Sequence, residues 1–328
     1  MSETFSAGAA FDVFKKREKG GVLLSATIAY FVLMIVVVGA FIALGWGQIG
    51  AFAKAYTDFM GATMSGDPSV NDPSHPIAQA YFQSMLGIAP LYLLFIFIVY
   101  VLLAAFEAAV HRWLVRGESG GGLMGLNFGA DTWRVYLGYW LWVIVLTGLY
   151  IGVIILAVVG GFAAAAVFGG GDSSGGMIGG AIIAVIMIVA FCAFLYVLVR
   201  LAPANAASVG LKKFAFFKGW TVSRGRFWSL LGAYLILAVI YLVIASIAYG
   251  VAAVIALGPM FAQIAQGGQP DPNVVMQSLS NPSTLAVLGL LYLVVFAVAM
   301  AIYLAFLGVG AKAVRVAMAE GRIGAPAA

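Results

Sequence analysis

Six uninterrupted apolar runs leave this chain few folds to choose from. They lie at about 22–46, 85–110, 135–168, 177–201, 227–257 and 284–309. A helix crosses the hydrocarbon core of a bilayer with about 20 apolar residues, and each run reaches that length. Lipid offers backbone N–H and C=O groups no partners, so a spanning segment must satisfy them internally. A transmembrane barrel would do so between strands that read as short alternating segments. These runs do not alternate. The expectation is an all-α polytopic membrane protein, with six transmembrane helices in a single membrane domain over 1–328.

Composition closes the other routes. The chain is 64% apolar and 9% charged, whereas an average soluble domain carries about 25% charged residues. Its charges are too few to coat a water-soluble fold of 328 residues. The apolar fraction excludes disorder. The 41 glycines have no three-residue period, which excludes a collagen-like fibre. The single cysteine, Cys192, lies in the fourth run and lacks companion thiols for a disulfide or a metal site.

The scarce charges are sorted. Residues 1–21, 111–134, 202–226 and 310–328, with Arg200 at their border, hold 16 of the 17 basic residues. The alternate segments 47–84, 169–176 and 258–283 hold Lys54 alone, with Asp58, Asp67, Asp72, Asp172 and Asp271. Basic residues stay on the cytoplasmic side, so both termini are expected there, as an even number of spans requires. The first run is too long for the core of a cleavable signal and reads as a retained anchor. The basic belt faces the anionic lipid of the cytoplasmic leaflet. It is spread over four membrane-flanking segments, which argues against a nucleic-acid partner despite the net charge of +5.

A weak internal repeat is visible. Phe11–Lys19, Trp113–Arg134 and Leu211–Trp228 each mix basic and aromatic residues ahead of an odd-numbered span. Arg134-Val-Tyr-Leu-Gly138 resembles Trp228-Ser-Leu-Leu-Gly232 in the way it enters the membrane. Three units are expected, each an interfacial elbow helix plus a helical hairpin. Residues 205–222 read as one such elbow. Ala207, Leu211, Phe214, Phe217 and Thr221 share a helical face, with Lys212 and Lys213 away from it and Phe216 and Trp220 opposite. A helix of this kind lies in the headgroup layer or packs beneath the bundle, and the first is the expectation. Outside the belt, 47–84 reads as a short helix over Ile49–Met64 followed by the turn-rich Asp67-Pro68, Asp72-Pro73 and His75-Pro76.

Motifs with a chemical look have plainer explanations. Gly117-Glu118-Ser119-Gly120-Gly121 fits a nucleophile elbow, but that elbow follows a strand. Here it follows a membrane span and reads as a glycine loop. Gly148-x-x-x-Gly152 and Gly176-x-x-x-Gly180 let helices approach closely. Pro90 is expected to kink the second span. Glu107 is the only carboxylate inside a run, one turn from its cytoplasmic end. Such groups are normally partnered. The expected pair is Glu107 with Arg112 or with Arg200, a structural clamp at the rim. The midplane otherwise offers hydroxyls and no acidic or basic relay, which lowers the case for ion-coupled transport.

Arg200-Leu-Ala-Pro203 through Gly219-Trp220-Thr-Val-Ser223-Arg-Gly225-Arg-Phe227-Trp228-Ser-Leu-Leu-Gly232 resembles the membrane domain of bacterial glycerophosphoryl diester phosphodiesterases and the related YciC-type inner-membrane proteins. Those show an arginine and proline closing a span, then a Ser/Gly-Trp, a Thr/Ser-x-Gly and an aromatic leading into the next span. The likeness covers 200–232 closely and the six-span layout loosely. It implies a bacterial inner-membrane protein. The phosphodiesterases hydrolyse their substrate in a soluble barrel, and its metal-binding carboxylate and histidine motifs find no counterpart in these residues. No catalytic residue carries over, and no cofactor or metal is expected.

The functional expectation is a non-enzymatic protein that binds lipid or a protein partner through its basic-aromatic cytoplasmic face. The residues that carry this are Lys212, Lys213, Lys218, Trp220, Arg224, Arg226 and Trp228. Self-association into a homo-oligomer is compatible with it. The alternative is a transporter or channel for an uncharged or lipid-like solute.

Overall fold

All six apolar runs fold as continuous helices, which satisfy their backbone hydrogen bonds within each segment. The computed structural model describes residues 5–15, 22–64, 68–119, 121–168, 173–267 and 281–324. Lys16, Arg17, Lys19, Asp67, Gly120, Asp172 and Asp271 lie outside the described residues. The elements are α1 (Asp12–Lys15), α2 (Val22–Met64), α3 (Pro76–His111), α4 (Ala130–Phe168), α5 (Ser173–Leu201), α6 (Ala204–Gly210), α7 (Lys218–Val222), α8 (Phe227–Ala265) and α9 (Pro282–Ala319). A 3-10 turn (Ala7–Phe11) precedes α1, and a π turn (Arg112–Arg116) follows α3. Among the described residues there is no strand, only an isolated bridge between Leu123 and Leu126. Six helices are long and apolar enough to cross a membrane, and the chain is an all-α polytopic membrane protein.

Two units divide the chain. One, the hairpin unit, comprises Gly21–Trp113 and Glu118–Trp142; the other, the rim unit, comprises Met1–Gly20, Leu114–Gly117 and Val143–Ala328.

In the hairpin unit α2 and α3 pack antiparallel. Ring pairs mark their seam from end to end: Tyr30 with Phe106 at 5.0 Å, Phe41 with Phe95 at 4.5 Å and Phe59 with Tyr81 at 5.0 Å. Gly45 permits the closest approach, since a Cβ there would come within 2.7 Å of Leu91 Cδ2. Pro90 sits inside α3 without ending it. α2 has 43 residues, a length of about 64 Å at 1.5 Å per residue. The separate short helix expected over Ile49–Met64 is therefore the continuation of the first span. Gly47 and Gly50 weaken a helix without stopping it, and no proline lies between Trp46 and Met64. Asp72 and His75 organise the return. Asp72 accepts from the Ser74 N–H and hydroxyl, both at 2.8 Å, and His75 Nδ1 accepts from Ile77 N–H to cap α3.

The rim unit is built on α8 and α9. Tyr234 stacks on Phe306 at 5.4 Å between them. The N-terminal stretch inserts Ala9 and Val13, both buried, against this pair, with Val13 beside Gly308. The amphipathic elbow helix expected over 205–222 is not formed. Two short helices, α6 and α7, replace it, and all of α6 is buried instead of lying in the headgroup layer. Sequence chemistry explains the break. Ser208 donates to the Ala204 carbonyl at 3.0 Å and accepts from the Ala215 N–H at 3.1 Å, which folds the chain back on itself. Ala-Asn-Ala-Ala-Ser-Val-Gly is small enough for neighbours to close over every side, and a Cβ on Gly210 would strike Met318, Val115 and Val314.

In both units burial is concentrated at the charge-bearing end. The stretch 104–113 is buried without a gap in one, and 203–211 in the other. The span centres instead display large apolar side chains, such as Ile35, Leu86, Phe162 and Leu290. That is the pattern of helices solvated by lipid tails.

Candidate functional site: a buried charge cluster and a basic-aromatic rim

The first candidate lies where α3 ends in the hairpin unit. Glu107 and His111 are four residues apart, so one helical face presents both. His111 Nε2 meets Glu107 Oε1 at 3.2 Å. Tyr139, from α4, donates its hydroxyl to Glu107 Oε2 at 2.6 Å. Beyond the helix end, the Arg112 guanidinium faces Asp131 Oδ2 at 3.8 Å and donates to the Gly125 carbonyl at 3.2 Å. Arg134 holds the other oxygen of Asp131 at 2.5 Å. Glu107, His111, Arg112 and Asp131 are all buried. The π turn at Arg112–Arg116 widens the chain's exit from α3, and such turns recur at functional sites.

This geometry ties charges to one another. Both carboxylates have each oxygen engaged, and buried ion pairs resist the removal of either partner. Of the two arginines expected beside Glu107, Arg112 also faces Asp131 and donates to the Gly125 carbonyl; Arg200 lies in the rim unit. Tyr139 and Asp131 are the partners that sequence reasoning missed. Tyr139 is 32 positions from Glu107, and no local periodicity links them. His111 faces Glu107, and Asp131 faces the two arginines.

The second candidate is in the rim unit. Arg200 ends α5, its guanidinium 5.1 Å from the Tyr196 ring and 5.4 Å from the Trp220 ring. It also donates to the Tyr196 hydroxyl at 3.0 Å. Ser223 donates to the Arg200 carbonyl at 3.0 Å, which fixes α7 beneath α5. Phe227 packs on Tyr196 at 5.1 Å. Arg116 anchors the end of α6 by donating to the Val209 carbonyl at 2.7 Å.

From this base the segment after α6 alternates inward and outward. Leu211, Ala215, Phe216, Gly219, Val222 and Ser223 are buried. Lys212, Lys213, Lys218 and Arg224 are exposed, together with Phe214, Phe217, Trp220 and Trp228. Lys212 adopts a φ of 53°, the left-handed turn conformation, and so the lysine pair is turned outward. Six of the seven residues expected on the basic-aromatic face are therefore exposed. Arg226 is the exception: its guanidinium pairs with Glu320, which also holds Arg322 at 2.7 Å. Glu320 gave no sign of this role in the sequence.

No protein-family model, no curated protein and no solved structure matches this chain.

Proposed function

We propose that this chain is a bacterial inner-membrane protein with cytoplasmic termini that performs no catalysis and holds anionic phospholipid against residues 212–228. The observation that carries the reading is the clustering of exposed cations and aromatics on one short segment: Lys212, Lys213, Lys218 and Arg224 among Phe214, Phe217, Trp220 and Trp228. Tryptophan prefers the level of the headgroups, and phenylalanine sinks into the boundary with the acyl chains. A lysine beside an anionic surface contributes about 1 kcal/mol. The two together suit a lipid whose phosphate faces the lysines and whose glycerol faces the rings. Arg226 and Arg322 serve the fold through Glu320, so they stay outside the lipid contact.

The test reconstitutes the full chain in nanodiscs of mixed phosphatidylglycerol and phosphatidylcholine, then counts retained lipids by native mass spectrometry. Replacing Lys212, Lys213 and Lys218 together by Gln is expected to lower phosphatidylglycerol retention about tenfold or more. It should also weaken the salt dependence of that retention, leaving what Arg224 contributes. Unchanged retention overturns the reading.

A further inference from the structure

The hairpin unit carries a second concentration of polar groups, which lipid binding at 212–228 does not use. Past Trp46, α2 continues through residues 47–64 alongside the first part of α3. Over 47–64 and 76–84 only two side chains are charged, Lys54 and Asp58. Both line a single groove of about 600 Å³ between the two helices, with Gln48, Gln83 and Ser84. The same stretch displays Tyr56 and Phe82 elsewhere on its surface. A hairpin meant to stand alone in water would put its polar groups outward on all sides. Here both charged side chains share one trough with Gln48, Gln83 and Ser84.

Lys54 and Asp58 lie one turn apart on α2, yet no ion pair joins them among the described residues. Their order is the reason: an acidic residue preceding a basic one at this spacing pairs well along a helix, and the reverse order pairs poorly. Each charge is therefore available to a partner in another chain.

We infer that this groove is a self-association face, and that its occupant is the same groove of a second copy. Two copies in one membrane share their orientation, so their two-fold axis runs along the membrane normal and their α2 helices lie parallel. A two-fold interface repeats each contact. Lys54 of one copy then meets Asp58 of the other, twice over. Parallel helices make cross-chain ion pairs between residues about one turn apart. Gln48, Gln83 and Ser84 add hydrogen bonds between helices, and the small, exposed Ala51 and Ala80 of the groove lining let the backbones approach.

The experiment uses the full chain with Cys192→Ser as background. Ala51→Cys is expected to link two copies through a short bis-maleimide in intact membranes, and Phe82→Cys, off the groove, is not. In labelled protein reconstituted at several lipid ratios, Lys54→Asp and Asp58→Lys are each expected to weaken self-association about tenfold by placing like charges opposite. The double variant restores it. Mixing the two single variants restores it as well, because a chain acidic at both positions then faces a chain basic at both. Only pairing between chains explains that recovery. If a charge variant fails to fold by circular dichroism, the cross-linking pair decides. A wild-type chain that stays monomeric at all ratios, a mixture that does not recover, or equal linking from Phe82→Cys overturns the inference.

Discussion

The hairpin unit and the rim unit use the same scarce resource in opposite ways. In the hairpin unit Arg112 and Arg134 close on Asp131, and Glu107 is held by His111 and Tyr139, all at a buried helix end. In the rim unit Lys212, Lys213, Lys218 and Arg224 are exposed beside half-exposed aromatic rings. Neutralised, buried charges hold a fold together, and a charge left outward is available to something else. In a chain with 9% charged residues, that difference separates structural cations from binding ones more clearly than residue type does.

The comparison breaks if the buried cluster proves dispensable, and here the largest effect is expected. Asp131→Asn leaves Arg112 and Arg134 without their shared counter-charge. Losing one partner of a buried pair is expected to cost about 3 kcal/mol, read as a lowered midpoint of denaturant-driven unfolding in mild detergent. Phosphatidylglycerol retention by the folded fraction should not change. Tyr139→Phe follows with about 2 kcal/mol, the loss of one hydrogen bond to a carboxylate. If either variant unfolds at the wild-type midpoint, the cluster is not the fastening described here.

How much of this was legible from residue order depends on the range of each interaction. The six spans were, because an apolar run of membrane length needs no partner to declare itself. The exposed rim was largely legible too, since Lys212, Lys213, Lys218, Trp220, Arg224 and Trp228 are near neighbours in sequence. The elbow over 205–222 was not. Helical spacing treats Ser208 as one more position, whereas its hydroxyl closes a turn with Ala215. Tyr139 and Glu320 were missed for a related reason: their partners, Glu107 and Arg226, lie 32 and 94 positions away. The onward course of α2 past Trp46 was hidden because apolarity marks where lipid ends, not where a helix does.

A smaller effect sharpens the comparison from the rim side. Trp220 and Tyr196, packed edge to face at 5.6 Å, both lie against the Arg200 guanidinium. Trp220→Leu removes one cation–π contact, worth about 0.5–1 kcal/mol at an exposed site. The unfolding midpoint should therefore fall less than with Asp131→Asn, while lipid retention falls more. A rim that lost stability without losing lipid would be a structural element like the hairpin cluster, and the contrast between the units would fail.

The smallest effect concerns the return between α2 and α3. The Ser74 backbone N–H, and then its hydroxyl, hold the Asp72 carboxyl below the usual aspartate range. A lowered folded value means that the ionised form favours the turn. That contribution is present above the unfolded value of about 3.9, and is lost as pH falls through the lower folded value. Because Asp72 is fully exposed, the change should stay local to the loop. Hydrogen exchange at Ser74 and His75, corrected for intrinsic rates, is expected to quicken only under acid, below the ordinary aspartate range. In Asp72→Ala the same amides should exchange quickly at neutral pH, with no further step on acidification. An identical acid step in that variant would assign the pH response to another group, and with it the ordering of this turn.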